Sequence, residues 1–138
     1  MSISFNEVIL MGVVKGNPHY YTNESGMLAV FIIELPQEWV DRTSGELHKK
    51  TETHQVLVFH QGIIEYMKKH LRYGSRVFVK GHLQAKPYTH ESGQERSATR
   101  VVIGKYDGHL SYLGQAVDYP DESGVHSYDG PSYDEIGI

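Results

Sequence analysis

One stretch of this chain is patterned as a helix, and strand-like sequence flanks it on both sides. In QGIIEYMKKHLRYG, residues 61–74, Ile63, Ile64, Met67 and Leu71 fall at i, i+1, i+4 and i+8. That spacing makes one apolar stripe, with Lys68, Lys69 and Arg72 elsewhere around the helix. Gly74 stands where a left-handed C-terminal cap belongs. Before the helix, NEVILMGVV (6–14), LAVFIIEL (28–35) and THQVLVF (53–59) are rich in β-branched and aromatic residues; after it come RVFVKGHLQAKPY (76–88) and SATRVVI (97–103). The turn signal GNP at 16–18 closes the first strand, NESG leads into the second, and Pro36 ends it.

Three strands, a helix and two further strands are the order of an OB-fold, a small Greek-key barrel that binds oligonucleotides or oligosaccharides. The expected fold is therefore all-β: a five-stranded OB-fold barrel with one α-helix between strands 3 and 4. After Gly114 the chain is rich in Gly, Ser, Asp, Pro and Tyr without periodicity, too poor in aliphatics to offset its ordering entropy. Residues 1–110 are read as one domain and 111–138 as a disordered acidic C-terminal tail.

Charge divides at the same place. All 13 Lys and Arg residues lie at or before Lys105; with 11 acids, residues 1–110 carry a net +2, and residues 111–138 carry −6. A mildly basic body with an acidic tail describes the chain better than its average. The chain has no cysteine, which excludes disulfides, thiolate zinc sites and cysteine nucleophiles. No GxxxxGK[ST], GxGxxG or HExxH occurs, and the nine histidines form no helical i, i+4 pair. No enzyme, metal or cofactor is expected. No apolar run approaches the ~20 residues of a membrane crossing, and no leader pattern precedes the first strand, which fits an intracellular protein without requiring one.

Residues 76–88 carry the functional signal. Val77, Val79, Gly81, Leu83, Ala85 and Pro87 alternate with Arg76, Phe78, Lys80, His82, Gln84, Lys86 and Tyr88. The oily face is expected to fill the barrel, leaving cations interleaved with aromatic rings on the other. Single-stranded nucleic acid is held by cations that track phosphates and rings on which bases stack, each base worth about 1–3 kcal/mol. Tyr88 with Lys86, Trp39 with Arg42, and Phe59 at the end of the third strand meet that description.

Taken in order, NEVILMGVVKGNP, QEWVDRTSGE, TETHQVLVF and LRYGSRVFVKGHLQAKPYTHESGQERSATRVVI resemble a bacterial single-stranded DNA-binding protein of the homotetrameric type, over residues 5 to about 104. The resemblance implies a tetramer wrapped by single-stranded DNA, with stacking aromatics at Trp39, Phe59 and Tyr88. It implies phosphate contacts at Arg42, Lys49, Arg72, Lys86 and Arg96. In many family members the position of Tyr88 is a tryptophan, and so is that of Thr53, where this chain has lost a platform. In the family pattern the residue after the first-strand Asn is often basic and its partner in the VxG segment acidic; here Glu7 and Lys80 reverse both signs. They are expected to pair across a subunit interface, with Arg76 and His54 assigned to the same contact.

The family's acidic C-terminus docks on replication and repair proteins. Here the end is SYDEIGI, in which Asp134 and Glu135 supply charge and Ile136 and Ile138 an apolar anchor. The implied function is sequence-tolerant binding and protection of single-stranded DNA in replication, recombination and repair, in the cytoplasm at the nucleoid. Two alternatives stay open: a dimeric primosomal relative that acts with a helicase, and an OB-fold adaptor that binds protein and no nucleic acid.

Overall fold

A computed structural model describes residues 3–89 and 91–116, with the side chains at 95 and 96 outside that description. The tail residues Asp134, Glu135, Ile136 and Ile138 lie outside the described residues. The elements run β1 (Val8–Asn23), β2 (Gly26–Val40), β3 (Leu47–Val58), α1 (Gln61–His70), β4 (Ser75–Thr89), β5 (Glu95–Ile103) and β6 (His109–Gln115). Among the described residues no helix is long and apolar enough to cross a membrane.

The first five strands close into a ring in the order β1-β2-β3-β5-β4, with β4 returning to β1. All pairs are antiparallel except β3 with β5, which run parallel over Val56↔Val101 to Val58↔Ile103. With the single helix between β3 and β4, this is the OB-fold barrel expected from the order of elements.

Alternation decides what fills the ring. Val14, Ala29, Phe31, Ile33, Val56, Val58, Val77, Val79, Val101 and Ile103 point inward and are buried. Each such side chain contributes roughly 1.5–3 kcal/mol of burial, less for alanine. Ile64, Met67 and Leu71 of α1 join the same cluster, so the apolar stripe of the helix plugs one end of the barrel. His60 caps its N-terminus, Nδ1 accepting from the Ile63 N–H at 3.2 Å.

The helix ends at Leu71 in extended backbone, before Gly74. Gly74 has the positive φ expected of it, 85°, but its N–H donates to the Val14 carbonyl at 2.8 Å. Its left-handed turn therefore docks the entry to β4 on β1 instead of capping the helix.

The strands outrun their expected limits. GNP at 16–18 is a register shift inside β1, which resumes pairing at His19↔Val30. Pro36 lies within β2, opposite Thr51. Beyond Glu34, β2 has only β3 beside it among the described residues, so one edge owes no ladder bond and a residue without an N–H fits. β2 and β3 thus leave the barrel as a long two-stranded arm.

β4 does the same with β5. Up to Gly81 it lies between β1 and β6; from His82 onward its partner is β5. Only Val77 and Val79 of its oily face reach the core; Leu83, Ala85 and Pro87 lie on the second arm and are exposed. β6 crosses the boundary drawn at residue 110. Its Leu110 is buried, and the Tyr112 N–H donates to Tyr66 Oη of α1 at 3.0 Å.

Gly81 sits where β4 changes neighbours: a Cβ there would come within 2.4 Å of the Val102 carbonyl oxygen. Gly93, with φ +87°, would place its Cβ in open space. Gly81→Ala is expected to cost about 3 kcal/mol in urea denaturation. Gly93→Ala should cost about 1 kcal/mol, from backbone strain alone. Equal costs would contradict this account of Gly81.

Candidate nucleic-acid interface

The same alternation that fills the barrel builds a second surface on its outside. Residues out of phase with the core are Tyr21 on β1, Leu28, Val30 and Ile32 on β2, Leu57 on β3 and Val102 on β5. Leu28, Val30, Leu57 and Val102 form a separate buried cluster, covered by Tyr21, Ile32 and Phe59. The outer sheet face therefore has an apolar floor and a partly exposed aromatic layer.

Phe59 is fixed into that layer from both sides. Its N–H donates to the Ile103 carbonyl at 2.8 Å, and its carbonyl accepts from Gln61 Nε2 at 3.0 Å. The ring is half-buried, resting on the cluster with its other side toward the surface. In the same phase on β4 stand His82, Gln84, Lys86 and Tyr88, paired with Val102, Arg100, Ala98 and Arg96 of β5. Tyr88 is 43% exposed, and among the described residues no ring stacks on it or on Phe59. Thr53 lies on the outer phase of β3 with Gln55 and Leu57, where its hydroxyl offers no stacking surface.

Trp39 stands apart. It pairs in register with His48 near the end of the β2–β3 arm, in phase with Phe31 and Ile33. Register thus puts it on the opposite face of the ribbon from Thr53. It is 48% exposed and stacks on His48, ring centroids 5.5 Å apart at 22°. One side of the indole is occupied within the chain. None of the three expected aromatics is sealed in the barrel.

The expected cations fall in several places. Arg42 is exposed on the loop that joins β2 to β3. Asp41 holds that loop: its Oδ1 accepts from the N–H groups of Thr43 at 2.8 Å and Ser44 at 3.3 Å, and its carbonyl accepts from Gly45 at 2.8 Å. Those backbone donors hold the Asp41 carboxyl below its ordinary value. Lys49 faces Glu38 at 3.8 Å, an exposed pair a phosphate can displace. Lys86 is half-buried on the outer face beside Tyr88, and Arg96 is opposite Tyr88 in the ladder. Arg72 belongs elsewhere, to a basic cleft of about 380 Å³ at the end of α1, shared with Lys68, Lys69, His70 and Tyr112.

Glu7 and Lys80 do pair, and they do so inside a single chain, Oε1 to Nζ at 3.0 Å. The bridge needs no second subunit. Lys80 and Arg76 lie on the outward side of β4, with Ile9 and Met11 of β1 exposed beside them at 59% and 60%. His54 is on the β2–β3 arm opposite Ile33, beside Glu52 at 3.8 Å, on a different pair of strands.

The sequence reading missed Arg100. Its side chain is buried on the outer face, and its Nε donates to Gln84 Oε1 at 2.7 Å. Desolvation lowers its pKa from the ordinary value. Tyr21, stacked with His19 at 6.3 Å, was missed because β1 was ended at Val14. Its phase could be read only by carrying the strand through the irregularity at 16–18.

Residues 5–108 match the model of the single-strand binding protein family. The single-stranded DNA-binding protein of Rhizobium meliloti (strain 1021) is 32% identical over 114 residues, spanning 82% of this chain and 66% of that protein. The protein of the same name from Rickettsia felis is 29% identical over 134 residues, 95% of this chain and 88% of its own length. A solved Plasmodium falciparum SSB complex with single-stranded DNA aligns with TM-score 0.73 at 30% identity, covering 82% of this chain and 98% of that one.

The Asp41 loop makes a pH prediction. Its folded pKa lies below the unfolded value, so its contribution is present above the unfolded pKa of about 3.9. It is lost as pH falls through the folded value. Amide exchange at Thr43 and Ser44 should be slow above about pH 4, faster below it, and fast throughout in Asp41→Ala. Exchange independent of pH in the wild-type chain, after correction for the intrinsic rate, would contradict the capping role.

Proposed function

The chain belongs to the single-strand binding protein family, and on that premise we propose that it binds and protects single-stranded DNA without strong sequence preference. The observation that carries the reading is the outer sheet face. Phe59 is pinned on an apolar floor with one side open, and Lys86 and Tyr88 stand in the same phase on the neighbouring arm. Open rings beside cations suit bases and phosphates of any sequence, because every base has a stacking face. A duplex hides those faces, so the surface favours unpaired strands.

The separation of Trp39 from Phe59 favours a wrapped path. A strand that meets both must pass around the β2–β3 arm, with Arg42 and Lys49 near the turn. Arg72, on the basic cleft at the end of α1, and Arg96, beside Tyr88, extend the phosphate track in two directions.

The chain acts as a homotetramer. Among the described residues β1 pairs only with β4 over residues 8–12, which leaves its other edge open there. In the same region Met11, Phe78 and Ser111 form one cross-strand row, and Ile9, Lys80 and His109 the next. An open strand edge beside exposed Ile9 and Met11 supports pairing with a second copy. Glu7, Lys80 and Arg76 flank that contact, with Glu7 and Lys80 held as an internal pair that sets its charge pattern; His54 serves a separate contact.

Residues 1–110, together with the rest of β6 to Gln115, form the binding body. The acidic segment beyond it recruits replication, recombination and repair proteins at the nucleoid, with Asp134 and Glu135 for charge and Ile136 and Ile138 as anchor. The role is one of binding, not catalysis.

Titration with oligo(dT) is expected to quench Trp39 emission, duplex DNA far less, and light scattering should give a tetramer mass. Affinity should fall steeply with salt, by about 0.7 in the log–log slope per phosphate neutralised. Unquenched emission together with no salt-dependent binding of oligo(dT) would overturn the reading.

A further inference from the structure

Beside Phe59 the end of β3 opens onto a cleft of about 180 Å³ lined by Asn23, Ser25, Met27, Phe59, Gln61 and Lys105. We propose that this cleft is a subsite for one nucleobase, with Lys105 anchoring the adjoining phosphate. The proposal rests on the single-strand reading above and extends the strand's path to the turn between β5 and β6.

Size and lining select the occupant. The cleft is smaller than the roughly 300–1,000 Å³ of pockets that enclose whole cofactors or drug-sized ligands. One planar ring is a suitable guest. Phe59 and Met27 supply aromatic and polarisable walls, and Ser25 a hydroxyl at the rim.

The cleft is held in shape before any ligand arrives. Gln61 Oε1 accepts from the Met27 N–H at 3.0 Å, and its Nε2 donates to the carbonyls of Met27 at 2.9 Å and Phe59 at 3.0 Å. That amide ties the start of β2 to the end of β3. Because both of its donors go to the backbone, Gln61 frames the cleft and does not read base edges. A base held here is gripped without being identified, as a sequence-tolerant protein requires.

Lys105 supplies the charge. It is exposed and makes no ion pair among the described residues, unlike Lys49, Lys50, Lys68 and Lys80, each of which has a carboxylate partner. Its position is coupled to the ring wall, since it lies two residues beyond Ile103, whose carbonyl receives the Phe59 N–H at 2.8 Å. On the other arm Lys86 and Tyr88 likewise place a cation and a ring in one phase of one strand.

The test uses the full chain and end-labelled oligo(dT), read by anisotropy over a salt series so that no signal depends on Trp39. Lys105→Gln should reduce the log–log salt slope by about 0.7, one phosphate contact, and Lys105→Arg should restore it. Ser25→Phe, which puts a ring into the cleft from an exposed turn, should weaken binding about tenfold, the loss of one stacked base, with the slope unchanged. Circular dichroism confirms that each variant is folded; Lys105→Gln alone suffices if Ser25→Phe does not fold. A wild-type slope in Lys105→Gln, or undiminished affinity in a folded Ser25→Phe, overturns the subsite while leaving the parent reading intact. Failure of the wild-type chain to bind oligo(dT) overturns both.

Discussion

β4 changes neighbours at Gly81, and both halves of the molecule depend on that change. On one side of it β4 hydrogen-bonds to β1 and β6, which closes the ring. On the other it pairs with β5 alone and carries Lys86 and Tyr88 beyond the barrel. The Val102 carbonyl occupies the space a side chain at 81 would need, so any residue but glycine forces the two strands to shift. By changing neighbours, one strand serves both the closed core and the projecting arm.

Packing on the two sides of the sheet then divides the work. Inward residues make the core, which α1 plugs. Outward residues make a second, shallower cluster whose cover is aromatic: Tyr21 and Phe59, with Ile32. Rings that rest on a packed floor have little further freedom to lose, which suits the stacking role proposed for them. Arg100 belongs to the same design. Buried on the outer face and bonded to Gln84, it links β5 to β4 where the second arm leaves the barrel. Exposed pairs such as Lys49 with Glu38 add little to stability and can open to phosphates.

Much of this was legible in the amino-acid order. The apolar stripe of residues 63–71 and the alternation of residues 76–79 were enough to place the helix and to choose the inner face of β4. The ends of strands were not legible. Gly16–Pro18 and Pro36 read as terminators, because a proline marks a missing donor without saying whether a neighbouring strand needs it. Here one lies in a register shift and the other on an open edge. β6 is short and holds a glycine and a serine, so its Leu110 and Tyr112 were too few to announce a strand.

The site was legible as a set of residue types and not as a surface. Phe59, Lys86 and Tyr88 share a phase because alternation can be counted along β3 and β4. Trp39 cannot be placed against Phe59 by counting, since the relation runs through the β2–β3 register. The Glu7–Lys80 bridge shows the same limit: complementary signs predict a partner, and the pairing of β1 with β4 brings the two together within one chain. The most direct measurement of where a strand lies is hydroxyl-radical footprinting of side chains in the full chain, with and without oligo(dT). The account predicts that Tyr21, Phe59 and Tyr88 become protected together on binding. Binding that leaves all three as reactive as before would contradict it.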